Sequence, residues 1–129
     1  MIAVRLEGMR MHDIASFYDE INRVLMVGVD WQLGPSLDAL DDLLHGGYGT
    51  LHGHDAARIV WADHAHAATA LGLAATRAQL LEKLEAPERF DTDLIRRRLE
   101  RLEAEGGPTY FDTIVEIFGS HPRLELVLD

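Results

Sequence analysis

Cysteine is absent from this chain, and with it any disulfide framework or thiolate metal site. Basic side chains are scarce: 12 Lys and Arg face 22 Asp and Glu, a formal charge of −10 with histidine neutral. A field of that sign repels phosphate backbones and draws basic partners, so a nucleic-acid partner is not expected. No apolar run approaches the roughly 18 residues of a membrane span. Met1 to Arg5 pass straight into an alternating pattern, without a basic leader and a following apolar stretch. These absences are read as a cytoplasmic protein with no membrane partner. What the 129 residues do have is 47% hydrophobic content, enough for one domain with a core of its own.

Ile2, Val4 and Leu6 alternate with Ala3 and Arg5, the period of a half-buried strand. Ile14, Phe17, Tyr18, Ile21, Val24 and Leu25 recur at helical spacing, with Gly28 as a stop. Pro35-Ser36 opens a short second helix, Leu37 to Leu44, with Ser36 as its cap and Gly46-Gly47 as its end. A flexible stretch from Gly46 to Asp55 then leads to the apolar run Ile59-Val60-Trp61-Ala62, read as a buried strand. From Ala65 to Glu105 the pattern is helical, interrupted near Gly72 and Pro87, and Gly106-Gly107-Pro108 breaks it. Tyr110 to Phe118 form a last amphipathic helix, and Leu124, Leu126 and Leu128 alternate as a final strand. Strands joined by helical crossovers predict an α/β fold with a parallel sheet covered by helices.

The second helix is the most informative segment. At about 100° per residue, Leu37, Leu40, Leu43 and Leu44 gather on one side and Asp38, Asp41 and Asp42 on the other. Like charges at these spacings repel, costing a few tenths of a kcal/mol per pair. Asp38, near the helix start, recovers part of that through the dipole; Asp41 and Asp42 lie too far along. Local stability therefore accounts poorly for the acids; on spacing alone an ordinary solvated acidic face is the first reading and an outward-facing binding surface the second.

The run Gly34-x-x-Leu37-Asp38-Ala39-Leu40-x-Asp42-x-Leu44 resembles the signature of the barstar family of ribonuclease inhibitors. The order of elements agrees over residues 1–71 and 108–129. The resemblance implies a small three-stranded parallel sheet packed with helices, in a single domain spanning 1–129 with an inserted helical hairpin at about 72–107. It implies no catalysis and no cofactor, but an acidic helix that blocks the active site of a barnase-like ribonuclease. The partner would be a basic ribonuclease of the extracellular or toxin type. Asp38 and Asp42 match the family's interface aspartates, with Asp42 at the dominant anion position; Gly34, Ser36, Leu37, Trp31, Asp41 and His45 complete the expected contact surface. Gln32 and Leu33 stand where the family has aromatics, Asp41 where it has Trp, Ser36 where it has Asn, and Gly119-Ser120 where an acid follows the last helix. The alternative is a barstar-fold interaction module that binds no ribonuclease.

Other groups carry less. His52-Gly53-His54-Asp55 and Asp63-His64-Ala65-His66 flank the middle strand, but His-x-His alone does not supply three or four converging ligands, so exposed histidines and no metal site are expected. The glycine-rich loop at Tyr48 lacks the Gly-Lys-Ser/Thr of a phosphate loop. Arg96, Arg97, Arg98 and Arg101, with Arg89, read as a solvated helix face paired with Glu100, Glu103 and Glu105; self-association of two copies through the insertion is the competing reading.

Overall fold

The computed structural model describes residues 1–129. The alternating N-terminus becomes β1 (Ile2–Glu7) and is followed by a 3-10 turn at Gly8–Arg10. Gly8 is required there, because a Cβ would fall 2.4 Å from the carbonyl oxygens of Ala62 and Asp63. Helix α1 (Ile14–Leu25) opens on a capping box: Asp13 accepts from the Ser16 N–H at 2.8 Å, and the Ser16 hydroxyl accepts from the Asp13 N–H at 3.0 Å. Helix α2 (Leu37–Leu44) begins at Ser36, whose Oγ accepts from the Ala39 N–H at 3.2 Å, as the sequence predicts.

Strand β2 (Ala57–Ala62) pairs in parallel with β1 on one side and with β3 (Leu124–Leu128) on the other. Leu6, Trp61 and Leu128 share one rung of the register. Parallel neighbours need long crossovers. The first crossover carries α1 and α2; the second carries α3 (His64–Ala70), α4 (Leu73–Leu84), α5 (Thr92–Glu105) and α6 (Tyr110–Gly119). The expected α/β class and parallel three-stranded sheet are both present.

The sheet departs from expectation in one respect. Ala57, Ile59 and Trp61 are buried, while Arg58 is exposed and Val60 only half-buried; Ala3, Arg5 and Glu125 on the flanking strands are exposed as well. One sheet face carries the core and the other meets solvent, with Arg58 and Glu125 paired across it at 3.2 Å. The unbroken apolar run Ile59 to Ala62 reads as buried on both sides because Val60 and Ala62 are apolar too.

The core joins Leu6, Phe17, Ile21, Leu40, Leu44, Ile59, Trp61, Ile114 and Phe118, none of them more than 1% exposed. It contains no residue between Gly72 and Thr109. Helices α4 and α5 instead pack on each other around Leu80, Ile95 and Leu102, with Leu84, Phe90 and Leu99 at the margin. Leu73, Leu81 and Leu94, which helical spacing would place with the other leucines of these segments, are more than a third exposed. The stretch from Gly46 to Asp55, expected to be flexible, is a run of hydrogen-bonded turns: the Thr50 N–H donates to the Leu25 carbonyl at 2.9 Å, the Thr50 hydroxyl donates to Val24 at 2.6 Å, and Leu51 is buried.

Candidate functional site: the acidic helix α2

Leu40, Leu43 and Leu44 are fully buried and fix α2 on the core. Leu37, expected beneath the same face, is only half-buried, because it lies at the first turn beside the recess between α2 and α4. The leading loop is fastened from below. The Asn22 side chain donates to the Leu33 carbonyl at 3.0 Å and accepts from the Leu33 N–H at 2.8 Å, and Leu33 itself is buried. Leu33 is thereby withdrawn from the surface, whereas Trp31 two positions earlier is 48% exposed. Gly34 and Ser36 are exposed along the approach to the helix.

Asp38 and Asp42 are both exposed, and neither is locked in an internal ion pair. The Tyr48 hydroxyl donates to Asp42 Oδ2 at 3.0 Å, and the Tyr48 ring packs against Trp31 with centroids 5.2 Å apart. Burial first, then that hydrogen bond and the Asp42 charge, hold the Tyr48 hydroxyl above its usual pKa. Tyr48 is positioned by Gly49, whose φ of +76° and approach to the Leu25 carbonyl oxygen exclude a side chain. Tyr48 therefore joins the surface although α2 periodicity could not indicate it. A hydroxyl next to glycines after an acidic helix was the only trace in the sequence.

Asp41 departs from the outward trio. It is half-buried and its Oδ1 meets His121 Nε2 at 2.7 Å, at the end of α6. His45, exposed at the helix end, sets Nδ1 2.9 Å from the Asp41 backbone carbonyl and crosses the His121 ring edge-on at 4.7 Å. The histidines flanking β2 do not converge in this way. His52 and His54 are exposed, as expected, but His64 and His66 are half-buried, with His64 Nδ1 2.9 Å from the Asp129 carbonyl.

The hairpin borders this surface. Lys83, on α4, is held below its usual pKa by burial first and by Arg98 next, while the Asp38 carboxylate acts in the opposite direction. The arginine face of α5 is partly paired: Arg101 with Glu105 at 2.8 Å, Arg96 with Asp93 at 3.6 Å, and Glu103 with Arg77 of α4 at 2.5 Å. Arg97 and Arg98 have no ion-pair partner.

A short parallel sheet with its helices on one face, presenting an anchored acidic helix to solvent, defines a small α/β protein. The chain belongs to the barstar family: the family model described as Barstar (barnase inhibitor) matches residues 1–104. Proteins of this family are inhibitors and not enzymes. The match runs through residues 72–104, which the sequence set apart as an insertion, and ends before α6 and β3, although Ile114 and Phe118 are core residues. No curated protein and no solved structure matches the chain. No helix is long and apolar enough to cross a membrane.

Proposed function

We propose that this protein inhibits a barnase-like ribonuclease, of the secreted or toxin type, by seating α2 and the loop before it in the enzyme's active site. The observation that carries the reading is the pair Asp38 and Asp42, exposed and outside any ion pair on a helix whose opposite side buries Leu40, Leu43 and Leu44. A ribonuclease site binds phosphate through cationic side chains. Carboxylates on a rigid helix replace that phosphate, accepting charge-assisted hydrogen bonds in a water-poor pocket. Asp42, oriented by Tyr48, whose ring packs on Trp31, takes the central anion position. Asp38, Gly34, Ser36 and Leu37 extend the contact along the first turn, and Asp41 and His45 form its rim. Rigidity lowers the ordering cost on docking, and the net charge of −10 steers a basic enzyme toward the surface. The protein acts in the cytoplasm and catalyses nothing.

The test is capture on the immobilised full-length protein, elution with salt, and assay of the eluate for ribonuclease activity and its inhibition. Recovery of a small basic ribonuclease that the protein inhibits supports the reading. Recovery of unrelated proteins, with no inhibition of any ribonuclease tested, assigns the chain instead to the interaction modules of the same fold.

A further inference from the structure

We propose that Asp41, His45 and His121 form a binding site for a zinc-like divalent transition-metal ion at the junction of α2 and α6. One ligand atom from each residue lies within 4.8 Å of the others. Two imidazoles and a carboxylate are a donor set suited to zinc, and three protein ligands leave a position for water. Tetrahedral bonds of about 2.0–2.1 Å require ligand atoms about 3.4 Å apart, so separations of up to 4.8 Å must shorten, while Asp41 Oδ1 and His121 Nε2, 2.7 Å apart, must part and exchange their hydrogen bond for the metal. Two of the three can move: His45 is exposed and Asp41 half-buried. The third is fixed, since His121 is 8% exposed and its backbone N–H is bonded to the Phe118 carbonyl at 3.2 Å.

The separation in the chain argues against a fortuitous surface cluster. Asp41 and His45 stand one helical turn apart on the same side of α2, while His121 arrives from beyond α6. The Asp41 backbone carbonyl faces His45 Nδ1 at 2.9 Å; with Nδ1 donating, the lone pair of Nε2 is left for a metal, the outer hydrogen bond usual for a metal-bound histidine. Arg123 lines the same recess, but its guanidinium is bonded to the carbonyls of His45 and His54. Ser120 and Pro122 complete the rim and add no charge. The proposal does not rest on ribonuclease docking, although Asp41 and His45 also lie at the rim of that contact.

The experiment is titration of the full-length protein with Zn²⁺ by calorimetry, alongside the absorption spectrum with Co²⁺. One ion per chain is expected, with a tetrahedral Co²⁺ spectrum and a rise in thermal midpoint, since a ligand of the folded state stabilises it. His45→Gln and His121→Gln should each weaken binding by about tenfold or more, whereas His52→Gln/His54→Gln and His64→Gln/His66→Gln should not. His45 is exposed, so His45→Gln keeps the test decisive even if His121→Gln folds poorly. Absence of binding at millimolar Zn²⁺, or affinity unchanged in folded His45→Gln, overturns the assignment.

Discussion

His121 and Asp41, 80 positions apart in the chain, meet through Nε2 and Oδ1 at 2.7 Å and join the end of α6 to the middle of α2. The contact divides two neighbouring aspartates between different tasks. Asp41 braces the helix and Asp42 faces outward. Asp41→Ala is expected to cost about 1–3 kcal/mol of folding stability, because His121 is left buried without its partner, and only about 0–1 kcal/mol of ribonuclease binding. Asp42→Ala should leave stability within about 0.5 kcal/mol yet weaken binding by about 2–5 kcal/mol, the usual loss when one member of a desolvated charge pair is removed. Urea unfolding and inhibition assays on the two variants separate these effects. Equal losses of binding would count against Asp42 as the central anion.

Glu20 supplies a second brace. Its side chain is fully buried, accepts from the Glu7 N–H at 2.7 Å and holds Arg23 through two bonds of 2.7 Å, with Arg10 at 3.4 Å. It thus fastens α1 to the end of β1. Glu20→Gln retains the volume but not the charge, and is expected to lower stability by about 1.5–3 kcal/mol in urea unfolding. A change below 0.5 kcal/mol would mean that the two arginines, both substantially exposed, hold the carboxylate no better than water.

Leucines and aspartates at helical spacing made α2, its cap and its buried side legible, because these depend on residues within one or two turns. The brace from His121 was not legible, since no local spacing encodes a contact between α2 and the end of α6. Glu20 reads as one more polar position on an amphipathic helix; only the Glu7 N–H and two arginines brought to it by folding make it internal. Tyr48 escaped for a related reason. Glycines around it suggest mobility, whereas here they allow a turn to approach the Leu25 carbonyl.

The buried hydroxyls of Tyr18 and Tyr110 share a hydrogen bond of 2.7 Å between α1 and α6. Burial, then the bond to Tyr110, raises the Tyr18 pKa far above the ordinary 10.0; burial also raises that of Tyr110, partly opposed by Tyr18. The folded state therefore retains protons that the unfolded chain releases near pH 10. The pair's contribution is fully present below that pH and is lost as pH rises above it. Tyr48 and Lys83 are shifted as well, Tyr48 upward and Lys83 downward, so the comparison is with Tyr18→Phe/Tyr110→Phe. Removing both hydroxyls leaves no unpaired group, and the change should be nearly neutral at pH 7. The urea midpoint of the double variant should fall less steeply above pH 10 than that of the wild type. Identical slopes would show that the buried pair does not set the alkaline limit.

The last expectation concerns the hairpin of α4 and α5. Its cluster of Leu80, Ile95 and Leu102 is separate from the main core, which draws no residue from it. Its two ends are already close: the Phe111 N–H donates to the Leu71 carbonyl at 3.1 Å, so a short glycine linker can replace residues 72–107. One tie is lost, because the Thr76 hydroxyl accepts from the buried Tyr110 N–H at 2.8 Å. An unsatisfied buried donor costs about 1–3 kcal/mol, a loss a domain of ordinary stability survives. The deletion variant is therefore expected to unfold cooperatively at a lower urea midpoint and to keep its ribonuclease inhibition, since Asp38, Asp42 and Trp31 lie outside the segment. Complete loss of structure by circular dichroism would make α4 and α5 part of the folding unit. A folded variant that no longer inhibits would make the hairpin, through Lys83 and its neighbours beside Asp38, part of the docking surface.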